Sequence, residues 1–212
     1  MKKLFIFLAT VICFINAQAE ILLVENFDYT IGSNLTDNGW TAHSGVATQS
    51  IDVITGLGFA GYAGSGIGGA ANLDNNGEDV HRTFNAQTSG TVYAAFIIQT
   101  QSTNSAGYFI HFGQNPIGST FYSRIWINST GDGIGLGQGT NPPTNYIDIS
   151  TNTPVLIVTK YDYLSRISSL YAFDVFPDSE PDTADATYTN SSSYSTGSIA
   201  LRQYNASQKV TV

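Results

Sequence analysis

The chain has 212 residues, of which 11% are charged and 42% are hydrophobic, and its formal net charge at pH 7 is −8. Without Lys2 and Lys3, which lie in a leader segment, six basic side chains face 16 acidic ones, so the remaining chain carries −10. Nucleic acids and anionic membranes require a basic footprint, so this balance excludes both classes of partner.

The first 19 residues have the pattern of a secretory signal peptide. Lys2 and Lys3 precede an apolar run, and a small-x-small site places the cleavage between Ala19 and Glu20. The apolar run is too short to span a bilayer, so we expect no membrane insertion after cleavage. Cys13 is the sole cysteine and lies in this segment. The pattern predicts a secreted or cell-surface protein without disulfides, whose residues 20–212 form a single domain.

Short β-prone runs separated by glycine, proline and asparagine turns fill the rest of the chain, and no long amphipathic helix interrupts them. The predicted strands are residues 21–24, 51–54, 57–59, 78–84, 91–100, 108–112, 124–128, 134–136, 146–149, 155–161, 169–176, 199–203 and 209–212. Residues 187–198, rich in Ser, Thr, Asn and Tyr, are expected to form an exposed excursion. About a dozen short strands without helical crossovers predict an all-β antiparallel sandwich or jelly roll.

Residues 91–112 predict a long hairpin, with two apolar strands joined by a seven-residue link. Side chains alternate along a strand, so Val92 and Phe96 are expected to face the core together with Ile110, Ile125 and Ile127 of neighbouring strands. The chain stops within the predicted strand 209–212. We therefore expect residues 20–212 to be the front of a longer polypeptide.

Five segments resemble the amino-terminal jelly-roll domains of secreted proteins from Bacteroidetes and related bacteria. They are residues 23–29, 39–45, 77–80, 89–96 and 200–203. Many proteins of this group carry a type IX sorting domain, and the domain is similar to the concanavalin A-like lectins and glucanases. The resemblance implies this fold and export, and it implies no particular activity.

The sequence gives little support to three kinds of catalytic or cofactor site. Two glycine-rich stretches, residues 56–61 and 64–69, match the dinucleotide-binding spacing but lack the helix that this motif needs. A glucanase needs two carboxylates on one strand face, whereas Glu78 and Asp79 are adjacent and point apart in a strand. The three histidines lie far apart in sequence and show no zinc spacing.

Oxygen ligands for calcium are more abundant. The turn with Asp74, Asn76 and Glu78, or the acidic stretch 178–182, could hold this ion, although acidic turns are usually just hydrated. We expect no other cofactor.

The remaining candidate is the face of the sheet turned away from the core. Tyr93, His111, Arg124 and Trp126 are predicted to form an aromatic and hydrogen-bonding platform there, which suits a sugar ring. The alternative is that these aromatic side chains simply cover the second face of the sheet. We expect a non-catalytic adhesive or glycan-binding module, with a structural spacer or a polysaccharide hydrolase as alternatives.

Overall fold

The computed structural model describes residues 19–102 and 105–212, and this part of the chain forms fourteen strands and a short 3-10 turn at Leu35–Asn38. The strands are β1 (Thr41–Ser44), β2 (Asp52–Thr55), β3 (Gly69–Leu73), β4 (Asp79–Gln87), β5 (Thr91–Thr100), β6 (Gly107–Gly113), β7 (Tyr122–Ile127), β8 (Gly133–Leu136), β9 (Ile147–Asp148), β10 (Val155–Asp162), β11 (Ile167–Phe173), β12 (Ala186–Thr189), β13 (Thr196–Leu201) and β14 (Val210–Thr211). No helix within the described ranges is long and apolar enough to cross a membrane.

The strands form two seven-stranded sheets, and every pairing is antiparallel. The first sheet has the order β1-β4-β13-β6-β7-β8-β9, and the second has the order β12-β11-β10-β5-β14-β3-β2. Both sheets combine runs of consecutive strands with neighbours from distant parts of the chain, as in a jelly roll: β13 lies between β4 and β6, and β14 lies between β5 and β3. The predicted all-β antiparallel sandwich is confirmed.

The inner faces of the two sheets bury the core that alternation predicted. Ile125 and Ile127 have no exposed surface, while Ile110 and Val92 are 3% and 5% exposed. Phe96 packs against the same interior and is half-buried. Aliphatic and aromatic side chains on both inner faces therefore hold the sheets together through removal of apolar surface from water.

The predicted hairpin over residues 91–112 is wrong, although both of its strands exist. β5 pairs with β10 and β14 in the second sheet, whereas β6 pairs with β13 and β7 in the first. Stacked sheets lie roughly 10 Å apart, and the link after β5 is long enough to cross that gap. The two strands therefore face each other across the core rather than sharing a ladder.

Other local predictions have mixed outcomes. The hairpin of β10 and β11 is confirmed by seven paired positions, from Leu156 and Phe173 to Asp162 and Ile167. Residues 21–24 belong to no strand, and the predicted excursion 187–198 contains most of β12 and the start of β13. The predicted signal peptide lies outside the described residues up to position 18, and the following Ala19 and Glu20 are exposed.

Candidate functional site

The outer face of the first sheet gathers aromatic, imidazole and guanidinium side chains from five consecutive strands of that sheet and their flanking residues. We call this surface the aromatic face, and it comprises His43, His81, Tyr108, His111, Phe121, Arg124, Trp126 and Arg202. The strand order β1-β4-β13-β6-β7 brings these side chains together although they are spread over 160 positions of sequence.

Ala200 on β13 makes room for a histidine cluster. It pairs with His81 on one side and with His111 on the other, so a small side chain lies between two imidazoles. His43 lies where the register between β1 and β4 shifts. Its ring centroid is 5.2 Å from that of His81 and 6.2 Å from that of His111. The three histidines are far apart in the sequence, but in the fold they form one cluster around His43.

An irregularity in β6 adds Tyr108 to the aromatic face. The register with β7 shifts between Tyr108 and Ile110, which breaks the simple alternation of side chains. Phe109 and Ile110 both enter the core, while the Tyr108 ring lies 5.7 Å from His111 and 5.6 Å from Trp126. A prediction from alternation alone would therefore place the Tyr108 side chain in the core, on the same side as Ile110.

The two arginines lie over the aromatic rings. The guanidinium carbon of Arg124 is 5.3 Å from the Tyr108 ring centre and 5.6 Å from that of Phe121, and Arg202 is 4.1 Å from the Tyr108 ring centre. An Nη1–H of Arg124 also donates to the carbonyl oxygen of Gly139. These distances are within the range of cation–π attraction, which holds the guanidinium planes against the sheet.

Gly137, directly after β8, leaves room for the Trp126 indole. A Cβ atom at Gly137 would be 2.3 Å from the indole Nε1 atom, closer than real Cβ contacts. Any other residue at position 137 would therefore push the indole away from the sheet.

The aromatic face has a large unmet capacity for hydrogen bonds. Ten buried side-chain nitrogen and oxygen atoms in the described ranges have no hydrogen-bond partner, and six of them belong to this face. They are both ring nitrogens of His43, Nδ1 of His81, Nε2 of His111, Nε of Arg124 and Nε1 of Trp126. Buried polar atoms are normally paired, so this concentration of unpaired atoms sets the aromatic face apart from the rest of the described surface.

The three imidazoles are neutral at pH 7. Burial, with a smaller contribution from His81, lowers the pKa of His43 to about 4. Burial also lowers the pKa of His81, and it lowers that of His111 to about 3. Nδ1 of His111 is 3.1 Å from the carbonyl oxygen of Phe112, which assigns its proton to Nδ1 and leaves Nε2 as an acceptor.

Phe121 covers part of this face. Its ring stacks on His111 with the centroids 4.1 Å apart and meets the edge of His43 at 5.8 Å. Phe121 directly precedes β7, whereas the other rings of the face lie within strands. It is therefore the ring whose displacement requires the least change in the sheet.

Asp79 is the carboxylate next to the aromatic face. Its Oδ2 atom is 3.8 Å from Nε of Arg202, and its Oδ1 atom accepts a hydrogen bond from the Gln203 amide at 3.1 Å. Burial raises the pKa of Asp79 to about 6, although Arg202 and the Gln203 amide oppose the shift. The buried Glu78 beside it turns elsewhere and accepts from the Ala47 amide.

Three of the four predicted platform residues come together, and the fourth does not. His111, Arg124 and Trp126 lie on the aromatic face, whereas Tyr93 lies on β5 in the second sheet. Tyr93 is 50% exposed and donates to Glu180 Oε2 at 3.0 Å. Its assignment to the platform is wrong because the predicted hairpin, which would have joined it to His111, does not form.

The predicted calcium ligands already have protein contacts. Asp74 lies 3.6 Å from the ammonium of Lys209, Asn76 pairs with Tyr204 through an isolated bridge, and Glu78 binds the Ala47 amide. Among residues 19–102 and 105–212, no group of three or more His, Cys, Asp or Glu side chains is arranged to hold a metal ion. Calcium binding at this turn stays a prediction.

The sequence matches no protein-family model and no curated protein. Solved structures with a similar chain trace include a lectin from Bauhinia forficata in complex with GalNAc, with 9% identity, a TM-score of 0.46, and coverage of 86% of this chain and 93% of that one. A protein of unknown function from Shewanella oneidensis MR-1 has 14% identity, a TM-score of 0.48, and coverage of 82% and 75%. The catalytic domain of a glycoside hydrolase family 131 protein from Coprinopsis cinerea has 12% identity, a TM-score of 0.34, and coverage of 85% and 77%. At these identities the similarity concerns the fold of the two-sheet jelly-roll sandwich alone.

Proposed function

We propose that residues 20–212 form a non-catalytic glycan-binding module of a secreted or cell-surface protein, and that the aromatic face is its binding surface. The observation that carries this proposal is the group of six unpartnered polar atoms among stacked rings. A sugar offers the complement to such a surface, since its C–H face packs on aromatic rings while its hydroxyl groups both donate and accept hydrogen bonds.

The donors and acceptors divide in a way that suits hydroxyl groups. Nε2 of His111 can accept from a sugar hydroxyl, and the neutral His43 ring offers one acceptor nitrogen and one N–H donor. Nε of Arg124 and Nε1 of Trp126 donate. Arg124 makes no ion pair within the described ranges, so its positive charge favours a glycan with an acidic group such as a uronate.

The imidazoles become accessible when Phe121 moves. Its position on the loop 114–121 allows a ligand to replace the ring over His43 and His111 without disturbing strand pairing. The sugar then takes over contacts that the phenyl ring makes in the free protein.

A glycan array that includes neutral, uronate-containing and sulfated oligosaccharides tests the proposal, followed by calorimetric titration of the best ligand. We expect Trp126→Ala to weaken binding by roughly tenfold or more, as for a central aromatic contact. Tyr93→Ala is the matched control, because this ring lies on the opposite surface and should leave the affinity unchanged. Unaltered binding by Trp126→Ala would refute the aromatic face, and an array without any ligand would favour the structural spacer.

Polysaccharide hydrolysis is the second candidate, and the raised pKa of Asp79 favours it, since a general acid must hold its proton near neutral pH. A glycosidase of the usual type also needs a second carboxyl group within roughly 5–10 Å across the bond to be cleaved. Glu78, the adjacent carboxylate, turns away to the Ala47 amide. This arrangement supports the non-catalytic proposal, and polysaccharide turnover that disappears in Asp79→Asn would reverse the choice.

A further inference from the structure

The second sheet contains an open strand edge at its centre. One edge of β5 pairs with β10 over eight positions, from Thr91 and Asp162 to Ile98 and Val155. The other edge pairs with β14 only at Gln99 and Thr100. Between Thr91 and Ile98, no strand of the described residues covers this second edge.

The backbone groups on this edge belong to alternate residues. The carbonyl oxygen of Ala95 points there, because it accepts a hydrogen bond from the Tyr62 hydroxyl at 3.1 Å. Alternation along an antiparallel strand directs the amides and carbonyls of Tyr93 and Ile97 the same way. Within the described ranges, the Tyr62 contact is the single hydrogen bond to the backbone on the open edge of β5 between Thr91 and Ile98.

A large apolar cavity runs beside the open edge, between the two sheets. Its volume is about 490 Å³, whereas close-packed interiors rarely leave voids larger than a water molecule. The inner faces of β5, β6 and β13 supply its apolar walls through Val92, Ala94, Phe96, Phe112, Ile199 and Leu201. Removal of so much dispersion contact is costly unless another apolar group fills the space.

A second cavity of about 90 Å³ continues the first along the edge. Both cavities are lined by Tyr62, Ala95, Phe96 and Val212. Val212 follows β14 and exchanges two hydrogen bonds with Ala71 of β3, at 2.8 and 3.0 Å. The axis of β14, which lies between β3 and β5, therefore leads into the cavities.

The amino-terminal segment forms part of the wall of the larger cavity. Residues 19–23 line the larger cavity, and the segment is held to the first sheet through Glu25. Glu25 forms an ion pair with Arg82 and accepts hydrogen bonds from Tyr29 at 2.9 Å and Trp40 at 3.0 Å. The Glu25 carboxylate is therefore already paired, whereas Glu20, the other charged residue of this wall, is exposed. The remaining lining is mainly apolar and favours uncharged side chains.

We propose that this groove is an acceptor site for one extended peptide strand, which binds antiparallel to β5 in line with β14. The backbone of this strand forms hydrogen bonds with the backbone of Tyr93, Ala95 and Ile97. Every second side chain of the strand is aliphatic and enters the cavity opposite Ala94 and Phe96. The intervening side chains face outward and are polar or small. About seven residues, at roughly 3.3 Å each, span the open edge. This site lies on the other sheet from the aromatic face and is independent of glycan binding.

Main-chain pairing combined with pockets for alternate side chains is how sheets recognise peptides. The open edge satisfies the first requirement, since unpaired strand groups bind other strands. The larger cavity satisfies the second, because most of its lining side chains are aliphatic or aromatic. Tyr62 then acts as a competitor, since its hydroxyl holds the Ala95 carbonyl that the incoming strand needs.

The test uses residues 20–212 and a capped peptide that repeats the alternation of residues 209–212, Lys-Val-Thr-Val-Ser-Ile-Thr. We expect saturable binding in calorimetry, and amide hydrogen exchange at Tyr93, Ala95 and Ile97 that slows by about tenfold or more on binding. A peptide with proline at a position that donates to β5 should bind about tenfold more weakly, because proline has no amide hydrogen. A scrambled peptide without alternation should bind as poorly.

Two variants sharpen the result. Tyr62→Phe frees the Ala95 carbonyl and should strengthen peptide binding by roughly twofold to fivefold. A chain with the same seven residues appended after Val212 should no longer bind free peptide, because the tethered strand occupies the groove at high effective concentration.

The proposal is overturned if the proline and scrambled peptides bind as well as the alternating one, or if the three amides exchange at unchanged rates. Binding of the alternating peptide that cannot be detected at millimolar concentration would also overturn the proposal. Concentration-dependent dimers of residues 20–212 that protect these amides would identify a second copy as the occupant and would overturn the choice of partner.

Discussion

The two outer faces of the sandwich carry the same kinds of side chain but differ in how well these satisfy one another. On the second sheet, the Glu180 carboxylate accepts hydrogen bonds from Tyr93 at 3.0 Å and Tyr171 at 2.9 Å, and it forms an ion pair with Lys160. The Lys160 ammonium lies 5.8 and 5.7 Å from the two ring centres. The aromatic face of the first sheet instead leaves six buried polar atoms without partners.

This difference shows that residue type alone does not identify a binding surface. Tyrosines beside a cation occur on both faces, and the cluster around Glu180 is complete without a ligand. An unpaired buried polar group costs roughly 1–3 kcal/mol, so the aromatic face holds a hydrogen-bonding capacity that a bound molecule can use. Under the proposed function, the completeness of hydrogen bonding distinguishes the scaffold face from the binding face.

The largest expected effect is a loss of stability in mild acid that originates on the aromatic face. Burial lowers the pKa of His43 to about 4 and that of His111 to about 3, while an unfolded histidine titrates near 6.5. Between pH 6.5 and 4 the unfolded chain binds protons that the folded protein excludes, so the free energy of unfolding decreases as the pH decreases. Each fully excluded imidazole contributes at most about 1.4 kcal/mol per pH unit. Asp79, with its pKa raised to about 6, acts in the opposite sense between pH 3.8 and 6 and offsets part of this loss.

Urea denaturation at successive pH values measures this dependence. His111→Phe retains a ring against Phe121 but removes one titrating group, so the slope between pH 6.5 and 4 should become shallower. Glu180→Gln is the control on the second face. Its hydrogen bond from Lys160 lowers the pKa of Glu180 below 4.5, so the stability from this carboxylate is present above pH 4.5 and is lost only at lower pH. A profile of His111→Phe that superposes on that of the unsubstituted protein would contradict the assignment.

An intermediate effect is expected from a single methyl group placed under the indole. In Gly137→Ala the added Cβ would lie 2.3 Å from Nε1 of Trp126, so the ring must leave the aromatic face or the strand must shift. We expect a loss of about 1–3 kcal/mol in the free energy of unfolding, together with weaker glycan binding. Gly118→Ala is the matched control, since nothing lies within 4 Å of a Cβ there. Equal melting temperatures for the two variants would show that Trp126 is not held as described.

Much of the fold follows from short-range patterns in the sequence. Alternation placed Val92, Ile110, Ile125 and Ile127 in the core and turned His111, Arg124 and Trp126 outward. The period of two is a local property of an extended backbone, so it survives whatever the strands pair with. It fails at Tyr108, because an irregular register with β7 inserts a residue that sequence does not mark.

The assembly of the candidate site depends on pairings that no local pattern reveals. His81 and His111 become neighbours through Ala200, which lies 89 positions after His111 in the chain. The apolar strands β5 and β6 satisfy alternation equally well as a hairpin or as facing members of two sheets. Only the complete strand order separates Tyr93 from Trp126, and it is set by the total burial of both sheets rather than by the link between β5 and β6.

The smallest expected effect comes from the cluster on the second face, and it tests whether this face is only a scaffold. Lys160 and Glu180 keep 23% and 42% of their side-chain surface exposed, so water and salt screen their attraction. A double-mutant cycle with Lys160→Met and Glu180→Gln should therefore give a coupling energy of about 0.2–1 kcal/mol that shrinks in high salt. Glycan affinity should stay unchanged in both single variants, because the cluster lies on the sheet opposite the aromatic face. A coupling energy above about 2 kcal/mol, or glycan binding that weakens with either substitution, would mean that hydrogen-bond completeness does not separate scaffold from site in this sandwich.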